Sequence, residues 1–377
     1  MKLKILFSGD VVISKESNGH FFSDELRKVV QDYDYKCCNF EAPLPIGTHN
    51  LKIGPHNHNN KATIQLLTQA GYNIFCLANN HIFDYGQEGM VATKRELEAN
   101  GCFTIGAGVY ENEVYDYLRL CDREGISVAL LNGAEGGGYG SYADGIGGYA
   151  YFLDKKFKYA IKKARKESTY VVIVIHAGAE GFNYPLPEIR AIYKEYIDLG
   201  ADCVIAHHPH VVQGYEDYKG HRIYYSLGNM AFDKGKGGIN PNSLSIALSF
   251  EKDNIQYKHI FTSYQNNMLQ TNVDAKFESF FKEISDNLHT QRYGEIIDEF
   301  CLKMLHETYT TCYEKACFVY HDSLLGKLKQ FVRRCILKRR INPILLYHNL
   351  NIETHYWIVR RALQLEYKTL TERKIDE

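Results

Sequence analysis

Seven short runs rich in Ile, Val, Leu, Phe and Cys, at residues 3–8, 35–40, 73–78, 126–132, 170–175, 202–206 and 222–227, constrain this chain more than any other feature. An apolar run of that length, bounded by turn residues, reads as a strand buried on both faces. Helical patterning separates most of the runs, at 61–70 and 87–100, stopped by Gly71 and Gly101, then at 154–167 and 187–199. This alternation predicts an α/β domain with a largely buried sheet. From 243 to 264, two alternating stretches joined by Glu251, Lys252, Asp253 and Asn254 predict two strands that close the sheet layer.

Two further segments differ in character. Residues 133–148 hold eight glycines in sixteen positions, too many for a packed helix or strand, and are expected to form a mobile loop or lid. After about residue 270 the strand-like runs cease, and 274–309 and 323–373 carry Leu, Lys, Glu, Arg and aromatics at helical spacing. The expectation is a domain over 1–270 followed by a helical, partly basic region over 271–377, since 377 residues exceed the usual single-domain size.

Charge and cysteine usage narrow the function classes. A formal net charge of −1 argues against wholesale nucleic-acid binding. The ten cysteines form no CxxC pair and several lie inside apolar runs, so they are expected to be reduced, buried thiols. The opening "MKLKILFSGD" passes from a short apolar run directly into a Gly-Asp turn, as a first strand does and a signal peptide does not. No run of 18 apolar residues offers a membrane span, and cytoplasmic residence is expected.

Polar residues that can bind metal end one expected strand after another: Asp10 after "ILFSG", Glu41 after "KCCNF", Asn79, Asn80 and His81 after "NIFCLA", His176 after "VVIVI", and His208 and His210 in "CVIAHHPH". Open α/β sheets bind ligands at the carboxyl ends of their strands. Taken singly, each has an ordinary reading: a turn, an Asx loop, a satisfied histidine. Taken together they meet the needs of two divalent cations about 3.5–4 Å apart, which require a shared carboxylate and neutral imidazoles.

In order and spacing, "FSGDVV", "NFEAPL", "LANNHIFDYG", "IHAGAE", "HHPHVVQG" and "YYSLGN" resemble the capsule-synthesis CapA-type family, also described as poly-gamma-glutamate synthesis proteins, across roughly residues 3–232. That family is similar in fold to the calcineurin-like metallophosphoesterases. The resemblance implies a four-layer fold, a β-sandwich flanked by helices, with one or two divalent metal ions (Mn, Fe, Zn or Mg) at the strand ends and a helical appendage beyond. It assigns Asp10 to the first metal, Glu41 to the bridging position, Asn80 and His176 to metal binding, and His208 and His210 to different metals. His81 is implied to act on the leaving group. Where metallophosphoesterases usually have a histidine two positions after the first aspartate, this chain has Val12, which leaves the first metal with Asp10, Glu41 and His210.

Around this set, Asp84 is placed to fix the His81 tautomer, as outer carboxylates often do. Glu180 is expected at the rim with a catalytic role, and Ala177 replaces a tryptophan that many relatives carry. His207 is expected to point away by strand alternation, Pro209 to stiffen the turn, and Asn229 to support the loop. The implied function is a metal-dependent hydrolase, a phosphoesterase acting on a phosphorylated or polyanionic substrate in capsule, exopolysaccharide or polyanion biosynthesis. Two alternatives stand beside it: metal-independent acid/base chemistry of the peptide-epimerase kind by His81, His176 and Glu180, and a non-catalytic, membrane-associated assembly factor.

Residues 327–340, "KLKQFVRRCILKRR", place seven cations in fourteen positions, with apolar residues 328, 331, 332, 335 and 336 on one helical face. One reading is peripheral contact of Lys327–Arg340 with an anionic membrane at its inner face, or with a lipid-linked polyanion. The other is a helix packed on the α/β domain with its basic face in water. No recognition motif accompanies the charge, so nucleic acid is disfavoured. A further amphipathic helix is expected over 347–368, bearing the single tryptophan, Trp357.

Overall fold

Leu3, Ile5 and Phe7 belong to one apolar core while Leu6 belongs to another, because successive strand residues face opposite sides of a sheet. That division organises the fold. The computed structural model describes residues 2–14, 21–137, 139–233, 241–319, 324–337 and 341–376. Leu3–Val12 lies inside a sheet that runs, edge to edge, Met268–Thr271, Ile255–Gln265, Asn242–Phe250, Leu3–Val12, Tyr35–Phe40, Ile74–Cys76 and Phe103–Ile105, with Asn229–Phe232 also pairing along Leu3–Val12. A second sheet runs Val212–Tyr218, His221–Leu227, Cys203–His207, Tyr170–His176, Ser127–Ala134 and Leu118–Cys121.

The inner core, from Ile5, Phe7 and Ile74 to Val172, Ile205, Tyr224 and Ile246, draws on both sheets. On the outer face of the first sheet, Leu26, Val30, Ile64, Leu67, Met90 and Leu97 of three helices (Asp24–Gln31, Lys61–Gln69, Gly86–Ala99) pack against Leu6, Cys38 and Phe75. Lys155–Glu167 and Pro187–Asp198 cover the second sheet with Phe157, Ile161, Ile189, Tyr193 and Tyr196. Their starts are local: Asp154 accepts from Lys156 N at 2.9 Å, and Pro187 opens its helix. The four layers expected of the calcineurin-like metallophosphoesterase fold, a β-sandwich flanked by helices, are present.

The chain divides into two compact units, Met1–Asn50 with His56–Leu288, and Leu51–Pro55 with His289–Glu377. The division falls at 288 and not near 270. Helix Ala275–Asn287 puts Phe277, Phe281 and Ile284 into the inner core of the α/β unit and crosses Gly214 closely: a Cβ there would stand 2.8 Å from Ser285 Cα. Helical spacing alone does not say against which unit a helix packs.

In the second unit, Gln291–Met304 and Glu353–Asp376 pack together, with an Arg361 Nε to Asp298 Oδ1 bond of 2.6 Å. The helix expected over 347–368 is two helices, Pro343–Asn351 and Glu353–Asp376, parted at Ile352, whose backbone is extended. Trp357 is half-buried. Among the described residues no helix is long and apolar enough to cross a membrane. The ten cysteines are free thiols, but Cys121, on an edge strand, and Cys335 are exposed, so burial does not hold for all of them.

Candidate metal centre

Where a strand ends, its ladder stops supplying hydrogen-bond partners, and buried backbone groups must find others. Asparagines do this here. Asn59 Oδ1 accepts from Ile13 N at 2.7 Å while its Nδ2 donates to Val11 O and Ala42 O. Asn132 accepts from Ala78 N at 2.7 Å and donates to Val174 O at 3.1 Å, joining a strand end of one sheet to the other. Asn79 donates to Phe40 O at 3.0 Å and accepts from His81 N at 3.2 Å. The carboxyl ends of both sheets are thereby fixed side by side.

Asp10 reaches the site through an irregularity. The register of Leu3–Val12 shifts on both sides of Asp10, the signature of a bulge that re-aims a side chain. Gly9 permits it: a Cβ there would lie 2.0 Å from Gly228 O, the atom that accepts Asp10 N at 3.1 Å. Asn39 Nδ2 donates to Asp10 Oδ1 at 2.7 Å and lies 3.0 Å from His176 Nδ1.

Two groups of ligand atoms share Glu41: Glu41 with His176 and His208, and Asp10 with Glu41 and His210. His176 Nε2 stands 3.0 Å from His208 Nδ1, 3.0 Å from Asn80 Oδ1 and 3.7 Å from Glu41 Oε1. His210 Nε2 stands 3.6 Å from Glu41 Oε1, and its Nδ1 bonds Asn229 Oδ1 at 2.9 Å. A proton on Nδ1 for Asn229 leaves the Nε2 lone pair directed to the Glu41 side. The structure thus brings together Asp10, Glu41, Asn80, His176, His208 and His210. Val12 is buried, pairs with Phe232 and contributes no ligand, so the Asp10 group has three members.

His81 stands beside this cluster. Its Nδ1 meets Asp84 Oδ2 at 2.7 Å and its Nε2 meets Asn57 Nδ2 at 3.2 Å, while Asp84 Oδ2 also accepts Asn57 N at 2.7 Å. Glu180 is exposed at the rim, where its charge reaches His176 and the next residue, Gly181, donates to Pro209 O at 2.9 Å.

His207 does not point away. It ends Cys203–His207 in register with His176 and places Nδ1 3.5 Å from Asp10 Oδ1. Alternation fails because the chain leaves the strand immediately afterwards: His208 has φ 99° and His210 φ 58°, a left-handed backbone unusual for histidine. Strained positions of this kind cluster at functional sites.

The glycine-rich segment also departs from expectation. Gly133 and Ala134 finish a strand, Glu135 is buried with Oε1 3.3 Å from His208 Nε2, and Gly137 N donates to Tyr149 Oη at 2.8 Å. Residues 133–137 are therefore fixed in the site. A carboxylate behind a ligand histidine sets the tautomer and raises basicity. Glu135 was legible as a strand-end carboxylate in "ISVALLNGAE"; Asn39 was legible as a polar residue inside an apolar run. Asn57, in an aperiodic loop, carries no such signal.

Electrostatics suit the ligand role. Burial lowers the pKa of His176, against the pull of Asp10, and lowers that of His208, helped by His176 and His210. His207 is brought down to about 4 by burial. Burial disfavours the Asp10 carboxylate, yet His176, His207 and His210 outweigh it and hold the carboxyl well below its ordinary range. Neutral imidazoles and an ionised carboxylate are the states metal binding requires. Carboxylate, amide and imidazole donors without thiolate fit a divalent metal ion.

The profile of the family described as bacterial capsule synthesis protein PGA_cap matches residues 4–234. The PGA biosynthesis protein CapA of Bacillus subtilis (strain 168) is 28% identical over 243 residues, covering 62% of this chain and 64% of the relative. The capsule biosynthesis protein CapA of Bacillus anthracis is 31% identical over 251 residues, covering 62% of this chain and 61% of the relative. The match thus spans less than two thirds of either relative. Among solved structures, the NAD nucleotidase NadN of Haemophilus influenzae is similar with TM-score 0.41 and 11% identity, over 80% of this chain and 66% of that chain.

Proposed function

Since the chain belongs to the bacterial capsule synthesis family PGA_cap, we propose that it is a metal-dependent phosphoesterase-type hydrolase in capsule, exopolysaccharide or other polyanion biosynthesis. The observation that carries this reading is Glu41, a buried carboxylate within 3.7 Å of His176 Nε2 and 3.6 Å of His210 Nε2, common to two donor groups. Glu41, Asn80, His176 and His208 would hold one divalent ion, and Asp10, Glu41 and His210 a second. When bound, such ions supply Lewis-acid stabilisation to a phosphoryl group and acidify water.

The chain's own residues do the remainder. Asp84 accepts from His81 Nδ1 and fixes the ring, so that Nε2 is the nitrogen presented to a leaving oxygen. Asn57 holds Nε2 in position until substrate replaces it. His81 and His210, with side chains 10% and 22% exposed, are the most open of these histidines, so substrate approaches past them.

The test is elemental analysis of the purified chain with phosphodiesterase and phosphomonoesterase assays, beside Glu41→Gln. Bound divalent metal and hydrolysis lost in the variant support the reading; metal-free protein with unchanged activity in the variant removes it.

A second reading, proton transfer on a peptide-like substrate, is favoured by the Asn57, His81 and Asp84 chain, which is built without either donor group. Solvent deuterium appearing in substrate without hydrolysis would select it. Neither activity, with fold intact, would leave the assembly-factor role.

A further inference from the structure

Between Ser323 and Ile352 there is no aspartate or glutamate, and Lys327, Lys329, Arg333, Arg334, Lys338, Arg339 and Arg340 fall within it. With a total of −1, those seven cations leave the remainder of the chain at −8. The described part of this stretch, 324–337 and 341–352, contains helix Leu324–Phe331 and a π turn at Val332–Ile336; residues 338–340 lie outside the described residues.

Its apolar residues are not packed away. Leu324, Leu325, Leu328, Phe331, Ile336 and Leu337 are each more than half exposed, and only Gly326 is buried in the helix. Leu324, Leu328 and Phe331 share one helical face by four-and-three spacing. Lys327, Lys329 and Arg333 are exposed beside them, and Arg333 stacks over Phe318 at 4.7 Å. In the α/β unit, by contrast, exposed large apolar residues such as Phe103, Tyr110 and Tyr159 are scattered singly, which is ordinary for a protein surface.

We propose that Leu324–Leu337 is a docking face for an anionic lipid bilayer, with its leucines and phenylalanine in the acyl boundary and its cations at the headgroups. Charge selects among occupants. A second copy would set the four cations of Leu324–Leu337 against the same four. A soluble polyanion would satisfy the cations and leave the apolar side chains in water. An anionic bilayer satisfies both, since long cationic side chains lie along apolar surface with their heads in the polar layer. The remaining −8 disfavours any other face on the same surface. This inference is independent of the reaction proposed above.

The test is sedimentation of the full chain with phosphatidylcholine vesicles, with and without phosphatidylglycerol. Two variants accompany it, Lys327→Glu/Lys329→Glu/Arg333→Glu and Leu328→Ser/Phe331→Ser, all at exposed positions, with circular dichroism to check the fold. The expected result is binding only with phosphatidylglycerol, weakened by salt, about a hundredfold weaker in the triple Glu variant and about tenfold weaker in Leu328→Ser/Phe331→Ser. Wild type remaining in solution, or variants binding equally, overturns the proposal. So does a wild-type dimer that the Leu328→Ser/Phe331→Ser variant abolishes without any vesicle binding. Polyglutamate binding unchanged in that variant, with no vesicle binding, overturns it in favour of a polyanion site.

Discussion

Around Glu41, the half of the cluster containing His176 and His208 is braced on several sides, whereas the half containing Asp10 and His210 opens toward solvent. Asn39 and Asn80 hold the two nitrogens of His176, Glu135 backs His208, and both rings and both carboxylates, Glu41 and Glu135, are buried. On the other side, His210 is turned by Asn229 and is 22% exposed, and apolar Val12 stands where metallophosphoesterases usually have a histidine. Ligand number and outer-shell support set metal affinity. The braced half suits a resident ion, and the open half suits an exchangeable one and the approach of substrate.

Glu41→Gln tests what the halves share. It should lower bound metal toward zero and kcat/KM by about 10³-fold, measured by elemental analysis and phosphodiesterase assay. His208→Ala strikes the braced half alone; the tightly bound ion should go, with activity falling by about 10²-fold. If instead the weakly held ion is the one lost, the assignment of the halves is reversed. Glu135→Gln keeps the shape of the carboxylate but removes its charge, and metal competition with a chelator should report about 10-fold to 100-fold weaker binding in the braced half. Val12→His aims to erase the asymmetry: titration should find tighter binding of the second ion, with a stability loss of about 1–3 kcal/mol from crowding a buried site.

Acid provides the fifth test, on metal-free protein. His207 ionises at about 4 against an ordinary 6.5, so the folded state holds it neutral. Its contribution is complete above about pH 6.5 and falls as pH drops toward 4, by up to about 3 kcal/mol. His176 and His208 shift in the same direction, and Asp10, whose pKa is lowered, adds its own loss below about pH 4. Urea midpoints should decline over that window, less steeply in His207→Asn. A flat profile would contradict the buried, neutral imidazoles.

Six strand ends could be read from the sequence because burial on both faces writes itself as an apolar run, and the first polar residue beyond it marks the carboxyl edge. That logic reached Asp10, Glu41, Asn80, His176 and the His208/His210 pair. It also applied to Glu135, but glycine content suggested a mobile loop there, whereas Ala134 N and Glu135 N are bonded to Ala150 O and His176 O. His207 escapes this reading because alternation holds only while the backbone stays in the strand, and the backbone leaves it at His208. Asn57 acts from a loop, where no period links position to side-chain direction. Helix Ala275–Asn287 has the spacing of the later helices, and only its packing on Val212–Tyr218 assigns it to the α/β unit.

The turn through His208, Pro209 and His210 sets stability against activity. Left-handed backbone costs a histidine about 1–3 kcal/mol at each such position, and glycine adopts it freely. His208→Gly should therefore be a more robust protein than His208→Ala, and an equally poor enzyme. Selection for thermal resistance alone would erode this turn first, so its retention in an evolving population would itself report that the cluster is in use.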